Sequence, residues 1–399
     1  MDMKSQVPTQ DDAINSAADA VARVAAQYAA AVDRDSRFPA EAIAAAKEHR
    51  LLGIQVPERL GGEGAALSEI VKVCYRLGTV CASTAMIFAM HQIKVACVLR
   101  HSNDSPWHQS MLKRLCAEQL LLASSTTEGT GGGDVRSSEA PIEYLDQRIT
   151  LLRRATVMSY GAEADGIVTT ARRSAEAAAS NQVLIVFLKS DYSLEPLVSW
   201  DTLGMRGTSS TGYLIRAAGD AQQILPDAYE KIHTMTMVPF AHLTWSSVWT
   251  GIAAGALERA QEFLRHAARK GSGQLPPGAA HFTRASGSLL TLRGLVASSL
   301  RAFDSIQHDE RALRDMDFQM MINVTKVEAS ELAVSIVLAA LRACGLSGYR
   351  NDGEFSIVRS LRDVLSAPIM INNDRILSNL ATISMMTAIP GSILDQSLT

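Results

Sequence analysis

Residues with hydroxyl groups and glycines are concentrated in one stretch of the chain, from Thr126 to Asp134, directly after a short apolar run. Glycines let backbone N–H groups approach an anion or a flat ring closely. The stretch is not a P-loop, because no Gly-Lys-Ser/Thr sequence follows it. It is not a dinucleotide-binding fingerprint either, because no βαβ pattern surrounds it. A ligand-binding turn and a flexible surface loop both remain open on these residues alone.

Other side chains could transfer protons or bind a ligand. His91 carries an imidazole suited to proton transfer near neutral pH, and a packed histidine is the other interpretation. Asn372, Asn373 and Asp374 could hydrogen-bond to a ligand, and a helix N-cap explains Asn373 or Asp374 equally well. The spacing of three to four residues places His242, Trp245 and Trp249 on one helical face. We expect this face to serve core packing or a subunit interface.

Composition excludes several classes of function. The 399 residues carry a net charge of −3, which gives no general attraction to nucleic acid or to an anionic membrane. Hydrophobic residues make up 47%, so the bulk of the chain is predicted to fold rather than remain disordered. Aromatic residues make up only 5%, which leaves few rings for stacking on single-stranded bases.

The five cysteines form no C-x-x-C pair and have no zinc spacing with histidines, so no metal site is predicted. An odd number of cysteines without a framework is typical of a reducing cytoplasm. The N-terminus lacks the apolar core of a signal peptide. The longest apolar stretch, 79–99, is interrupted by polar residues, so we expect no membrane span and a cytoplasmic protein.

The elements that must position these residues fall into three regions. Residues 1–118 show helical periodicity, residues 119–230 contain short β-branched runs bounded by turns, and residues 231–399 return to alanine-rich helical patterns. The predicted strands are 148–158, 166–172, 182–188, 213–216 and 222–225. The predicted C-terminal helices are 248–267, 283–308, 315–343 and 363–387. We therefore predict an α+β protein with a helical domain, a β domain and a second helical domain.

Five motifs, in the same order along the chain, resemble those of the acyl-CoA dehydrogenase family, and together they extend over nearly the whole chain. Thr127-Glu128 with Gly132 and Asp134 is similar to the family loop T-E-P-G-x-G-S-D. The other matching segments are V-P-E-R-L-G-G-E-G at 56–64, M-S-Y-G-A-E-A-D at 158–165, L-G-M-R-G-T-S-S at 203–210, and C-G-L-S-G-Y at 344–349 followed by Arg362-Asp363. Each motif is loose, but the ordered set is specific.

This resemblance implies an acyl-CoA dehydrogenase-like fold, with a C-terminal four-helix bundle and a flavin, FAD or else FMN, between the β domain and the bundle. The Ser159 hydroxyl would donate toward the N5 and O4 edge of the ring, stabilising negative charge as the ring is reduced. The residues that the resemblance assigns to cofactor binding are Ser125, Thr126, Thr127, Gly132, Met158, Ser159, Gly345 and Asn373. For Thr127 and Ser159, the capping of turns is the other interpretation.

Several positions depart from the family pattern. Family dehydrogenases remove an α-proton from an acyl thioester with a glutamate, which commonly lies eight residues after the aspartate of the R-D pair. That position is Ile371 here, and a side chain of carbon and hydrogen cannot accept a proton. The second family position for this glutamate, near His242, has none either. Val157 replaces a tryptophan that packs on the flavin, and Gly133 replaces a serine that touches the substrate.

Three functions are compatible with this pattern. The first is a flavin-dependent oxidoreductase acting on an acyl thioester, linked to CoA or to a carrier protein, or on a similar small acyl substrate. The second is a monooxygenase of the same fold that takes reduced flavin from a partner reductase. The third is a non-catalytic acyl or flavin binder. His91, Asn372 and Asp374 are the candidate catalytic residues. We expect a dimer or tetramer, although the family arginine that reaches FAD across subunits is not recognisable.

Overall fold

The computed structural model describes residues 10–128 and 136–386. Five helices form the N-terminal region, and each of them buries apolar side chains. In the first helix, Ile14, Ala18, Val21 and Ala25 recur every three or four residues on one buried face. The helices are α1 (Gln10–Arg34), α2 (Ala40–Glu48), α3 (Leu67–Gly78), α4 (Ala82–His101) and α5 (Pro106–Glu118).

Helix α4 lies in the interior of the protein. Within the described part of the chain it is the one helix long and apolar enough to pass for a membrane span, yet 89% of its apolar window is buried inside the protein. A helix that is apolar on all sides is typical of a core. This helix is central to the site described below, because it packs against both the first strand and the C-terminal helices.

Seven strands form two sheets in the middle of the chain. The three-stranded sheet has the order β1-β4-β5, and the four-stranded antiparallel sheet has the order β2-β3-β7-β6. The strands are β1 (Leu122–Ser125), β2 (Ile142–Leu145), β3 (Arg148–Ala155), β4 (Gly166–Arg172), β5 (Gln182–Leu188), β6 (Tyr192–Val198) and β7 (Gly212–Asp220). Strand β1 runs parallel to β4, so that Ser125 at the end of β1 lies beside Thr169.

The structure differs from the predicted strands at three places. Strands β2 and β6 were not predicted; most of their side chains are exposed, so neither strand shows the buried apolar alternation on which the prediction relied. Pro196 within β6 also argues against a strand in a sequence pattern. The predicted strand at 222–225 is instead a short 3₁₀ turn, Ala221–Gln223, followed by an isolated bridge at Ile224.

Helices return after the sheets. A short helix α6 (Tyr229–Ile232) continues through the π-helical segment His233–Met237 into α7 (Val238–Lys270). The remaining helices are α8 (Ala279–Ile306), α9 (Glu310–Arg314), α10 (Met316–Cys344), α11 (Leu346–Tyr349), α12 (Val358–Val364) and α13 (Asn373–Met386). Helices α7, α8 and α10 pack against one another, and α13 packs on α10. The predicted helix at 363–387 is divided, because turns separate α12 from α13.

The order of helices, two sheets and helices confirms the predicted α+β architecture. The elements change character near the proposed boundaries, since α5 ends at Glu118 and α6 begins at Tyr229. The division into domains 1–118, 119–230 and 231–399 remains a prediction.

Candidate functional site

The end of β1 carries a buried hydroxyl group, that of Ser125. Ser125 is fully buried, and its Oγ contacts no hydrogen-bonding group among the described residues. Its backbone oxygen accepts a hydrogen bond from Thr169 Oγ1 at 2.9 Å, which holds the end of the strand in place. Thr126 and Thr127 follow and are half-buried. Within the described ranges this buried hydroxyl is unpaired, which makes it a candidate position for a ligand, because such groups are normally paired.

Glu128, the next residue in this segment, connects it to residues 138–140 and to β3. Its carboxylate accepts hydrogen bonds from Ser138 Oγ at 2.7 Å and from the backbone N–H groups of Glu139 and Ala140 at 2.9 and 3.1 Å. It also pairs with Arg153 at 3.1 Å, and both side chains are buried. Arg153 occupies an inward-facing position of β3, where an apolar residue is usual. Gly132, which the sequence assigns to the same loop, lies outside the described residues.

The segment 157–160, between β3 and β4, provides the second part of the site. Ser159 is 7% exposed, and its Oγ lies 2.8 Å from Ser210 Oγ. The buried Met158 donates its backbone N–H to Thr211 O at 3.0 Å. Tyr160 donates its phenol O–H to Leu122 O at 3.0 Å, which ties this segment to the beginning of β1. Val157, at the position where the family places a tryptophan, is 42% exposed.

Three hydroxyl groups and one carbonyl form a continuous hydrogen-bonded chain. Ser159 Oγ contacts Ser210 Oγ, Ser210 Oγ lies 2.7 Å from Thr208 Oγ1, and Thr208 Oγ1 donates to Met205 O at 2.8 Å. Ser210 and Thr208 are 4% and 3% exposed. The sequence analysis did not predict Ser210 and Thr208 as site residues, although they lie in the L-G-M-R-G-T-S-S motif. The available signal was the run of three hydroxyl residues at the end of that motif.

The loop that contains Met205 is anchored to the C-terminal bundle. Asp363 in α12 accepts the Met205 N–H at 2.7 Å. A Cβ atom on Gly204 would overlap the carbonyl oxygen of Arg362, so only glycine permits this approach. Met205 and Ser209 both have left-handed backbone conformations, with φ of 53° and 46°. Such strain persists only where surrounding contacts impose it, and it is frequent at functional sites.

His91 is fully buried in α4, and both of its ring nitrogens are engaged. Nε2–H donates to Leu52 O at 2.8 Å, and Nδ1 accepts the backbone N–H of Leu122 at 3.0 Å. Burial lowers the pKa of His91 to about 4, so the imidazole is neutral at physiological pH. In this arrangement His91 joins α4 to the beginning of β1, and neither nitrogen is free to transfer a proton. The catalytic role predicted for His91 has no support in these contacts.

The C-terminal candidates divide into two kinds. Asn372 and Asp374 are exposed, and Asn372 Oδ1 accepts the backbone N–H groups of Asp374 and Arg375 at 2.9 and 3.3 Å. Asn372 is therefore the N-cap of α13. Asn373 is buried, and its Oδ1 accepts a hydrogen bond from Lys326 Nζ at 2.7 Å. Asn373 Nδ2 donates hydrogen bonds to Ser330 Oγ at 2.9 Å and to Glu331 Oε1 at 2.8 Å, so its side chain contacts the helical bundle.

Lys326 was not predicted from the sequence, and it holds the segment where the family places its glutamate. Its Nζ donates to Ala367 O at 3.1 Å and to Asn373, so it bridges the two ends of this segment. It also lies 5.5 Å from the centre of the Trp249 ring, within cation–π distance. Ile371 lies in the chain between Ala367 and Asn373, the two residues to which Lys326 donates hydrogen bonds. Its φ is 51°, an uncommon conformation for a β-branched residue.

Two further predicted positions have structural explanations. Gly345 ends α10 with φ of 55° and ψ of −136°, a conformation that is essentially restricted to glycine. His242, Trp245 and Trp249 are buried in α7, as the packing interpretation predicts, and His242 Nδ1 lies 3.2 Å from Ile322 O. Burial lowers the pKa of His242 to about 3. Within the described ranges no three His, Cys, Asp or Glu side chains converge as a metal site would require.

The helical regions at both ends match known family models. The model described as "Acyl-CoA dehydrogenase, N-terminal domain" matches residues 8–119, and "Acyl-CoA dehydrogenase, C-terminal domain" matches residues 233–380. Among curated relatives, a probable acyl-CoA dehydrogenase of Mycobacterium tuberculosis is 24% identical over 363 residues, which cover 90% of each protein. A probable FMNH2-dependent monooxygenase of Pseudomonas putida is 23% identical over 335 residues, covering 79% of this chain and 82% of the relative.

Solved structures share the whole architecture. FMN-bound TdsC from Paenibacillus sp. A11-2 matches with a TM-score of 0.83 at 16% identity, covering 95% of this chain and 98% of that one. At such low identity the likeness establishes the fold, and the two family models establish the relationship. The chain belongs to the acyl-CoA dehydrogenase family, whose members are flavin-dependent oxidoreductases.

Proposed function

We propose that this protein is a monooxygenase that binds FMN between the end of β1 and the segment 157–160, with reduced flavin supplied by a separate reductase. Bound reduced flavin would supply the two electrons needed to split O2, with one oxygen atom passing to an organic substrate and the other leaving as water. The observation that carries the proposal is Ile371, which occupies the usual position of the proton-abstracting glutamate and is fixed there by Lys326.

The residues at the proposed site fit the edge of a flavin ring. Ser125 offers a buried hydroxyl that has no partner among the described residues, and Ser159 offers an oxygen with lone pairs left after its contact with Ser210. Flavin rings present both hydrogen-bond donors and acceptors along the pyrimidine edge and at N5, so hydroxyl groups are suitable partners for them. Val157 adds an exposed apolar surface against which a flat ring could pack.

The segment 367–373 argues against ordinary acyl-thioester dehydrogenation. An α-proton must be removed by a base within hydrogen-bond reach of it, and Ile371 cannot serve. The two polar side chains of the segment are already occupied, since Asn372 caps α13 and Asn373 contacts Lys326, Ser330 and Glu331. An oxygenation that needs no such base is compatible with this arrangement.

The relatives provide independent support for FMN. The relative from Pseudomonas putida is named as a probable FMNH2-dependent monooxygenase, and TdsC is described as a dibenzothiophene monooxygenase and contains FMN. The family arginine for the FAD pyrophosphate is not recognisable in this sequence, which also favours FMN over FAD. We further propose that the chain forms a dimer or tetramer through the bundle, where Leu346 and Tyr349 are 74% and 71% exposed.

Dehydrogenation of an acyl thioester, linked to CoA or to a carrier protein, is the second candidate. It is favoured by the relative from Mycobacterium tuberculosis, which is named as a probable acyl-CoA dehydrogenase and is covered over 90% of its length. This function requires a base from outside segment 367–373. The two candidates therefore differ in whether the substrate or a reductase provides the electrons.

The experiment compares the two sources of electrons on the same protein. The purified chain is loaded with FMN or FAD under anaerobic conditions and mixed with a panel of acyl-CoA esters, while flavin absorbance is followed. Separately, protein with chemically reduced FMN is mixed with O2, and the reappearance of oxidised flavin is compared with that of free reduced FMN. We expect no bleaching by acyl-CoA and a slower, protein-dependent reoxidation. Bleaching by acyl-CoA would overturn the monooxygenase proposal in favour of the second candidate.

A matched pair of variants tests the role of segment 367–373. Ile371→Glu restores a carboxylate at the family position, and Ile369→Glu places the same charge two residues away on an exposed side chain. We expect Ile371→Glu, but not Ile369→Glu, to gain bleaching by acyl-CoA. Equal absence of bleaching in both variants, with flavin and acyl-CoA demonstrably bound, would contradict the assignment of this segment. Failure of the wild type to bind either flavin would overturn both candidates.

A further inference from the structure

The chain of hydroxyl groups from Ser159 to Met205 has a defined direction. A hydroxyl group carries one hydrogen, and that of Thr208 is donated to Met205 O at 2.8 Å, since a carbonyl can only accept. The contact of 2.7 Å between Thr208 and Ser210 therefore requires Ser210 to donate. By the same reasoning Ser159 donates its hydrogen to Ser210 across 2.8 Å. The result is that Ser159 Oγ presents lone pairs, and no free hydrogen, to a ligand.

The direction is imposed from outside the site. Met205 O also accepts hydrogen bonds from Trp200 Nε1 at 3.1 Å and from the Thr208 backbone N–H at 3.0 Å, and Asp363 accepts the Met205 N–H. Met205 and Ser209 have left-handed conformations on either side of Thr208, so the loop has little freedom to reorient this carbonyl. All three hydroxyl-bearing residues are at least nine-tenths buried, which limits competition from water.

We infer that Thr208 and Ser210 make Ser159 a hydrogen-bond acceptor and thereby favour binding of reduced over oxidised flavin. The inference rests on the proposed function, in which Ser159 faces the flavin N5 edge. Oxidised flavin has a bare N5 that accepts hydrogen bonds, whereas reduced flavin has an N5–H that donates. With reduced flavin every hydrogen bond in the chain is kept and the N5–H gains an acceptor.

With oxidised flavin one hydrogen bond is lost. In one case Ser159 donates its hydrogen to N5, and its hydrogen bond to Ser210 is lost. In the other case every hydroxyl in the chain reverses its direction, and the hydrogen bond from Thr208 Oγ1 to Met205 O is lost. One net hydrogen bond corresponds to about a fivefold difference in dissociation constant between the two redox states. For a two-electron couple, that ratio raises the midpoint potential of the bound flavin by about 20 mV.

The test measures the dissociation constants of oxidised FMN and of dithionite-reduced FMN under anaerobic conditions. In Thr208→Val and in Ser210→Ala, the number of hydrogen bonds becomes equal for the two redox states. We therefore expect the ratio of the two dissociation constants to shift by about fivefold toward oxidised FMN in both variants. Thr208→Ser restores the hydroxyl and should restore the wild-type ratio. Thr202→Val is the matched control, because the Thr202 hydroxyl donates to Gly204 O in the same loop and lies outside the chain.

The outcomes separate this inference from the proposed function. If FMN binds and the ratio in Thr208→Val and Ser210→Ala equals that of the wild type, the inference is wrong while the flavin site stands. If FMN binds in neither redox state, the proposed function fails and the inference with it. If Thr208→Val does not fold, Ser210→Ala decides the question, since it only removes one buried oxygen from a turn.

Discussion

Asp363 in the C-terminal bundle accepts a hydrogen bond of 2.7 Å from the backbone N–H of Met205, which lies in the loop before β7. This contact joins two regions separated by 158 residues and fixes the carbonyl at the end of the hydroxyl chain. Arg362, the neighbour of Asp363, donates to Leu203 O at 3.0 Å and pairs with Asp33 in α1. The R-D pair therefore fastens the β region to both helical regions.

Asp363→Asn is expected to change how stability depends on pH. Burial raises the pKa of Asp363 from 3.8 to about 6, so the folded state holds this proton more tightly than the unfolded state does. The stabilising contribution is present below pH 3.8 and is lost as the pH rises through 6. Relative to Asp363→Asn, the wild type should lose about 3 kcal/mol of unfolding free energy between these values. Denaturant titrations measure this; Asp374→Asn is the exposed control, and a constant difference across the range would refute the prediction.

His91→Leu is expected to destabilise the protein, because it leaves the Leu122 N–H buried without its partner and leaves Leu52 O with the longer 3.3 Å hydrogen bond from Gln92 Nε2. One unsatisfied buried group costs about 1–3 kcal/mol, and this is the expected loss. The pKa of His91 falls from 6.5 to about 4 in the folded state, so wild-type stability should decrease as the pH drops through this interval. Thermal unfolding at several pH values checks both effects. The exposed His49 provides the control variant His49→Leu, and an acid dependence that persists in His91→Leu would contradict the assignment.

Glu128→Ala is expected to lower the unfolding free energy by about 3–5 kcal/mol, because it leaves the buried Arg153 guanidinium without its carboxylate. Glu128→Gln should lose less, since its amide oxygen can still accept from one of the two backbone N–H groups, that of Glu139 or that of Ala140. Glu139→Ala, at an exposed neighbouring position, should stay within about 0.5 kcal/mol of the wild type. Chemical denaturation distinguishes the three variants. Equal stability of Glu128→Ala and Glu139→Ala would show that the buried pair does not support the loop.

Lys94→Met is expected to stabilise the protein at neutral pH. The Lys94 ammonium is buried in α4, and its one hydrogen-bond acceptor among the described residues is Met237 Sδ at 3.5 Å. Burial lowers the pKa of Lys94 from 10.5 to about 8, which corresponds to about 3 kcal/mol of unfavourable free energy while the group is charged. Because the folded state binds this proton less tightly, wild-type stability should rise between pH 8 and 10.5 and approach that of the variant.

Denaturation at pH 7 and at high pH measures the Lys94 effect. Lys72→Met, which removes a surface lysine paired with Asp11, is the matched control and should change stability little. A Lys94→Met variant that is less stable than the wild type at pH 7 would show that the ammonium has a compensating partner.

The sequence by itself determined the architecture and the family. Helical periodicity, β-branched runs and the order of five motifs are local properties, so they predicted the α+β fold, the family and the hydroxyls of Ser125 and Ser159. The absence of a glutamate near Ile371 is also a property of sequence alone. Strands β2 and β6 escaped prediction because their mostly exposed side chains lack the apolar alternation of a buried strand.

Only the tertiary structure decided what each polar side chain contacts. The sequence predicts proton transfer by His91, but Leu52 and Leu122, 39 and 31 residues away, use both of its nitrogens. The family resemblance assigns Asn373 to the cofactor, but Lys326 and Ser330 in α10 engage its amide. The chain from Ser159 through Ser210 to Thr208 joins two distant motifs, and its direction depends on the Met205 carbonyl, in a loop that Asp363 anchors through the Met205 N–H. Hydrogen bonds are short and directional, so partners distant in sequence are known only once the fold has brought them together.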